Sequence, residues 1–224
     1  MFPKQTIRFL KELSANNNRD WFTENKQRYE DLVRSPALEF IESMEPALMQ
    51  VSPHIEARAK KVGGSLMRVY RDTRFGKDKT PYKTNIGIHF RHARAKDVHA
   101  PGYYLHIEPG DVFFGAGIWR PDSPTLLAVR TLMDEHPEEW KTVKKKVMSR
   151  SNFELVGDSL KRAPKGFDPD HSLIEDLRRK DFIAVCNLPV ASIHEKDLNK
   201  KVASLVKKSA PLMAFICEAN DLLF

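Results

Sequence analysis

Residues 103–118 read Tyr103-Tyr104-Leu105-His106-Ile107-Glu108-Pro109-Gly110-Asp111-Val112-Phe113-Phe114-Gly115-Ala116-Gly117-Ile118. Two alternating runs flank Pro109-Gly110, a pair that favours a tight turn, so the stretch is predicted to be a β-hairpin of Tyr103–Glu108 and Val112–Ile118. Alternation sends Tyr103, Leu105, Ile107, Val112, Phe114, Ala116 and Ile118 to one face, a core surface. Tyr104, His106, Glu108, Phe113, Gly115 and Gly117 go to the other. Upstream, Leu66–Tyr70 and Asn85–Arg91 alternate in the same way and add Met67, Val69, Ile86, Ile88 and Phe90 to the core face. They add Arg68, Tyr70, Gly87, His89 and Arg91 to the polar one. Short links between these strands favour antiparallel pairing.

Helical periods lie on both sides of this block. Ile7, Phe9, Leu10 and Leu13 form one stripe, and Asn18 is placed to cap a second helix carrying Trp21, Phe22 and Tyr29. Ser35 with Pro36 signals a third, which Pro46 is expected to kink or divide. Beyond the sheet, Ser123-Pro124 and Pro137-Glu138-Glu139 open two more helices, and Lys165–Ser172 is a turn-rich loop. Ile174–Arg179 reads as a short helix and Phe182–Asn187 as a fifth strand. Ser192-x-x-Glu195 is a capping box for a helix bearing Leu198, Val202, Leu205 and Val206, and Pro211 is expected to restart the last one. The expected fold is therefore α+β, a mainly antiparallel sheet of about five strands packed by N- and C-terminal helices. No repeat or Gly/Ser linker interrupts it, so residues 1–224 are read as one domain: helical over 1–60, strand-rich over 66–118 and helix-rich over 123–224.

Charge is unevenly spread. The chain carries 37 Lys and Arg against 30 Asp and Glu, a formal net charge of +7. Between Arg58 and Lys96 there are twelve basic residues and two acidic ones, so the rest of the chain is net acidic. The densest part is Arg68-Val69-Tyr70-Arg71-Asp72-Thr73-Arg74-Phe75-Gly76-Lys77-Asp78-Lys79-Thr80-Pro81-Tyr82-Lys83. Guanidinium forks match phosphate or carboxylate, and Asp72 and Asp78 are suited to fixing some of them by structural pairing while others stay available. Pro81 stiffens the loop and lowers the entropic cost of holding its cations together.

This run, with Phe9-Leu10-x-x-Leu13, Asn17-Asn18-Arg19-Asp20-Trp21-Phe22, Tyr103–Pro109, Gly115-Ala116-Gly117-Ile118-Trp119, Asp181-Phe182-Ile183 and Pro211-Leu212, resembles the domain-of-unknown-function family 2461. The resemblance spans most of the chain. It implies membership and brings no activity, cofactor or catalytic residue with it.

Read from the residues, the expected function is a pocket for a phosphorylated or multiply anionic small molecule. Arg68, Arg71, Arg74, Lys79, Tyr82 and Lys83 would bind it, beside Tyr104 and His89. His106 and Glu108 are the candidate catalytic pair, a histidine next to a carboxylate being able to relay a proton near neutral pH. Gly87, Gly115 and Gly117 would leave room for a ligand against the backbone. The same cations would otherwise track a nucleic-acid backbone, with Tyr70, Phe75, Tyr82 or Tyr104 stacking on bases. A third reading is an interaction protein in which the loop is only an ion-pair network. His89, His106 and Glu108 lack the close spacing of a metal site, so no metal is expected, and the absence of a Walker loop or dinucleotide fingerprint leaves the cofactor unassigned. Cys186 and Cys217 are expected to be buried, inert thiols. No apolar run is long enough to span a bilayer, no membrane partner is expected, and without an apolar N-terminal leader the cytoplasm is the expected compartment.

Overall fold

The computed structural model describes residues 1–224 except 75, 95–98 and 150–151; Phe75 and Lys96, named above, lie outside the described residues. In chain order the elements are α1 (Gln5–Ala15), α2 (Arg19–Glu24), α3 (Lys26–Tyr29), a π-turn (Glu30–Arg34), α4 (Ser35–Val51), β1 (Ile55–Glu56), β2 (Ile86–His92), β3 (Gly102–Glu108) and β4 (Asp111–Ile118). There follow α5 (Ser123–Glu135), α6 (Pro137–Met148), β5 (Phe153–Val156), α7 (Ile174–Leu177), β6 (Phe182–Asn187), a 3₁₀ turn (Val190–His194) and α8 (Leu198–Ala219). Six strands form one antiparallel sheet in the order β1-β2-β3-β4-β6-β5. The fold is α+β. No helix among the described residues is long and apolar enough to cross a membrane.

The β3–β4 hairpin closes as its sequence demands. Glu108 pairs with Asp111, and Gly110 takes φ +94°, a left-handed conformation that glycine reaches without strain. One sheet face is covered by helices: α8 packs on β4, α4 on β2 and α6 on β5. Phe114 is wholly buried there, stacked on Tyr103 at 5.9 Å and edge-on to Phe153 at 6.1 Å. Trp140 of α6 fills the space between Phe182 and Phe215, its indole N–H donating to the buried Asp176 at 2.8 Å.

Proline signals misplace the helix boundaries. Ser35 caps nothing, because α3, the π-turn and α4 follow one another without a gap and Arg34 and Ser35 are both helical. Pro36 cannot donate to the carbonyl four residues earlier, that of Leu32, and the Thr6 hydroxyl of α1 donates to it instead at 2.7 Å. Tertiary contact thus satisfies the group that proline leaves open. Pro46 does not divide α4, and Pro211 lies inside α8 and does not begin a new helix. The capping box at Ser192 does not form. Its hydroxyl donates to the Pro189 carbonyl within the 3₁₀ turn, and α8 starts only at Leu198. The N-cap of α5 is Asp122, one residue before Ser123, while Asn18 caps α2 as expected by accepting from the Trp21 N–H at 3.0 Å.

Leu66–Tyr70 is not a strand. Residues 65–67 lie along the outer edge of β2, with Met67 N–H donating to Gly87 O at 2.9 Å and His89 N–H to Ser65 O at 2.8 Å. The chain then leaves the sheet, and Val69 to Arg71 pairs with Pro81 to Lys83 through the Tyr70–Tyr82 bridge. Leu66 and Val69 are both buried three residues apart, a spacing that a flat strand cannot supply.

Candidate functional site

The basic segment is a protruding loop on a two-strand stem. Asn17, at the end of α1, clamps that stem: its side-chain amide donates to Tyr82 O at 2.9 Å and accepts from Tyr82 N–H at 3.1 Å. The Tyr82 ring is buried, stacked on Phe22 at 4.0 Å, so it belongs to the hydrophobic contact that roots the loop. Tyr70, 5.5 Å from it, is half-exposed.

Within the loop, most cations are engaged internally. Arg71 donates to Asp78 at 2.5 Å and to the Thr80 hydroxyl at 2.8 Å. Arg74 makes a fork on Asp72 at 2.9 and 2.7 Å, and Lys79 donates to the Thr73 carbonyl at 2.7 Å. The Arg74 fork holds the Asp72 carboxyl well below the usual carboxylate range. Asp78 is lowered chiefly by the Thr80 N–H and hydroxyl, with Arg71 adding to it. These pairs are exposed.

Arg68 and Lys83, at the base of the stem, differ. Among the described residues neither makes an ion pair within 4 Å, although the Arg68 charge helps to lower Asp72 at longer range. Lys83 is half-buried, and burial, reinforced by the nearby Arg68 charge, pulls its ammonium below the ordinary lysine range. It helps line a void of about 10 Å³ with Leu10, Leu13, Val33, Met67 and Val69, space for roughly one water.

Next in the chain, Thr84 and Asn85 connect this patch to the polar sheet face. Thr84 donates to Glu108 Oε1 at 3.1 Å, and Asn85 Nδ2 lies 3.4 Å from His106 Nδ1. Tyr104 Oη is 3.0 Å from His106 Nδ1, and His106 Nε2 is 3.3 Å from Glu108 Oε2. The ionised carboxylate only accepts, so the consistent network has Nε2–H donating to Glu108 and the Tyr104 hydroxyl donating to Nδ1. Phe113 stacks flat on the imidazole, 4.7 Å between centroids and 10° between planes, and fixes its orientation. Burial pushes the Tyr104 phenol up to about 12, keeping it a neutral donor at physiological pH. The arrangement is a hydrogen-bonded line of phenol, imidazole and carboxylate, open to solvent mainly at Glu108, whose side chain is 41% exposed against 14% for His106.

The glycines on this face do not leave empty space. A Cβ on Gly87 would lie 2.8 Å from Tyr104 Oη and 3.0 Å from Met67 Sδ. One on Gly102 would lie 2.5 Å from His89 Nε2, and one on Gly115 would meet Ile183 and Val185. The protein's own side chains occupy the room expected for a ligand. His89 is buried, its Nδ1 has no partner among the described residues, and burial lowers it to about 4. Both cysteines are buried and raised by burial, Cys217 to about 12. No group of three His, Cys, Asp or Glu among the described residues is placed to hold a metal ion.

Tyr104, His106 and Glu108 are brought together and touched by Thr84 and Asn85, the two residues that follow Lys83, while the Arg68 charge acts on Lys83. Arg71, Arg74 and Lys79 stand apart on the loop, and Tyr82 and His89 are sequestered. Asn17, Thr84 and Asn85 were missing from the sequence-based site; Asn17 is carried in the Asn17–Phe22 motif noted above. A family model described as conserved hypothetical protein DUF2461 matches residues 5–215. The chain belongs to that family. No curated protein and no solved structure matches it.

Proposed function

We propose that this DUF2461 protein binds a small anionic molecule at the base of the loop stem, through Arg68 and Lys83. One observation carries the reading: half-buried Lys83 feels the Arg68 charge, and neither cation makes a close ion pair among the described residues, Asp72 acting on Arg68 only at longer range. Mutual repulsion and desolvation cost free energy that a bound anion would offset. The paired cations of the loop are under no such strain, which moves the favoured position from Arg71 and Arg74 to the stem. Thr84 and Asn85 tie the same place to the Tyr104–His106–Glu108 line, so a proton can be supplied or removed at the edge of the bound anion.

Binding of orthophosphate, pyrophosphate and a panel of phosphorylated metabolites and nucleotides, followed by calorimetry, tests this. Wild type should bind at least one, Arg68→Ala should weaken it about ten-fold or more, and Arg71→Ala should weaken it less. Indifference of the wild type to every anion, or a larger loss from Arg71→Ala than from Arg68→Ala, would refute the assignment.

A further inference from the structure

One edge of the sheet is bordered by cations at both of its ends. On the side away from β3, β2 is flanked by β1 at Arg91 and His92 and by residues 65–67 at Gly87 to His89. The 58–64 turn leaves and returns at one end of this border, where Arg58 N–H donates to Ser65 Oγ at 3.0 Å and Ser65 N–H to Arg58 O at 2.8 Å. At the other end the basic loop rises on its stem of Val69–Arg71 and Pro81–Lys83. β2 has seven residues, which sets the two ends about 20 Å apart. Lys60, Lys61 and Arg94 stand at the first end, and Arg68, Lys77 and Lys79 at the second. All six are exposed, and none makes an ion pair within 4 Å among the described residues. Glu56, Asp72 and Asp78 are engaged instead by Arg58, Arg74 and Arg71. Positive charge is therefore in excess at both ends, while the chain outside residues 58–96 is net acidic. The hollow between the 58–65 turn and Arg91–Ala93 holds about 10 Å³, room for one water, so no small ligand is enclosed there. Cations spread this far along an open border are matched by a chain of regularly spaced anions. Tyr70, on the stem, is 54% exposed and offers a ring for stacking.

We infer that this edge is a track for the phosphodiester backbone of a nucleic acid, running from the 58–64 turn along β2 to the basic loop. At about 3.4 Å of strand axis per phosphate, a span of about 20 Å takes about six phosphates. Release of their counterions drives binding, and Tyr70 stacks on an unpaired base where the strand is single. The acidic remainder of the surface turns the molecule so that this edge meets the polyanion first. Lys60, Lys61, Arg94 and Lys77 take no part in the small-anion site, so the track stands or falls independently of it.

Fluorescence anisotropy of the intact protein with a labelled single-stranded oligonucleotide, and with the duplex of the same sequence, is measured from about 50 to 200 mM salt. The logarithm of Kd should rise linearly with that of salt, with a slope of about 4 for the single strand and about 5 for the duplex. Lys60→Ala combined with Lys61→Ala should lower the slope by about one to two and weaken binding about ten-fold at the lowest salt. Lys77→Ala, at the other end, should lower the slope by about one. Both variants should keep the wild-type melting curve and the wild-type response to orthophosphate, which separates the track from the small-anion site. If the double variant does not fold, Lys77→Ala and the wild-type slope decide. A loss on Tyr70→Ala confined to the single strand identifies that form as the ligand. Duplex binding at least as tight, with Tyr70→Ala silent, identifies the duplex. No binding at the lowest salt, or a slope that the Lys60 and Lys61 substitutions leave unchanged, overturns the inference. Equal affinity for polyglutamate of the same charge also overturns it, in favour of an acidic protein partner.

Discussion

The two faces of the sheet are made by the same strands and solve opposite problems. On the helix-covered face, Tyr103, Leu105, Ile107, Phe114, Ala116 and Ala184 are at most 1% exposed, and packing complementarity determines each choice. On the opposite face, Tyr104, His106, Glu108, Phe113, Ile183 and Val185 are all partly buried, and hydrogen bonds and ring stacking order the first four. Stability is concentrated on one side. The other side holds polar groups in fixed relation without having to contribute much to it.

That contrast can be broken by substitution. Phe114→Ala, on the covered face, should cost about 3–5 kcal/mol in urea unfolding, whereas its neighbour Phe113→Ala should cost about 1 kcal/mol. Equal losses would mean that the open face is core too. His89 is the buried exception on the polar side, and it ties that side to pH. Its folded-state value near 4 lies below the ordinary 6.5, so the unfolded chain binds the extra proton first as pH falls. Stability is complete above about pH 6.5 and declines toward pH 4, by on the order of 3 kcal/mol if the full difference is expressed. His89→Leu should flatten that limb of the curve.

A smaller effect is expected at Asn17. Asn17→Ala leaves the Tyr82 N–H and carbonyl without the clamp and should cost about 1–3 kcal/mol, with faster hydrogen exchange at the Tyr82 amide. The smallest belongs to the loop itself. Arg71→Ala removes an exposed ion pair with Asp78, and the melting temperature should move too little to resolve. A large shift would instead make the loop a structural strut and favour the reading in which its charges serve only one another.

The long strands were legible because their period survives into the structure: β3, β4, β6 and the Pro109-Gly110 turn lie where alternation puts them. β1 and β5, two and four residues long, are too short to display a period and are completed by their neighbours. The helix boundaries at Pro36 and Pro211 were misread because the signal is local and its resolution is tertiary, as the Thr6 hydroxyl on Leu32 shows. The candidate site divides in the same way. That aspartates would engage arginines followed from composition, but which cations lack a close ion pair among the described residues depends on where the stem leaves the sheet. Spacing alone cannot place Lys83 among apolar side chains or fill the glycine hollows with Tyr104 and His89.

The order β4-β6-β5 also has a consequence for the chain as it is made. β4 is complete at Ile118, yet its second partner begins only at Phe182, with all of α5, α6, β5 and α7 between them. At roughly 5–20 residues per second, a ribosome leaves the backbone of β4 bare for several seconds, an unguarded template for another strand. Nascent chains stalled before Asp181 should therefore be the species that chaperones hold and that clump when they do not.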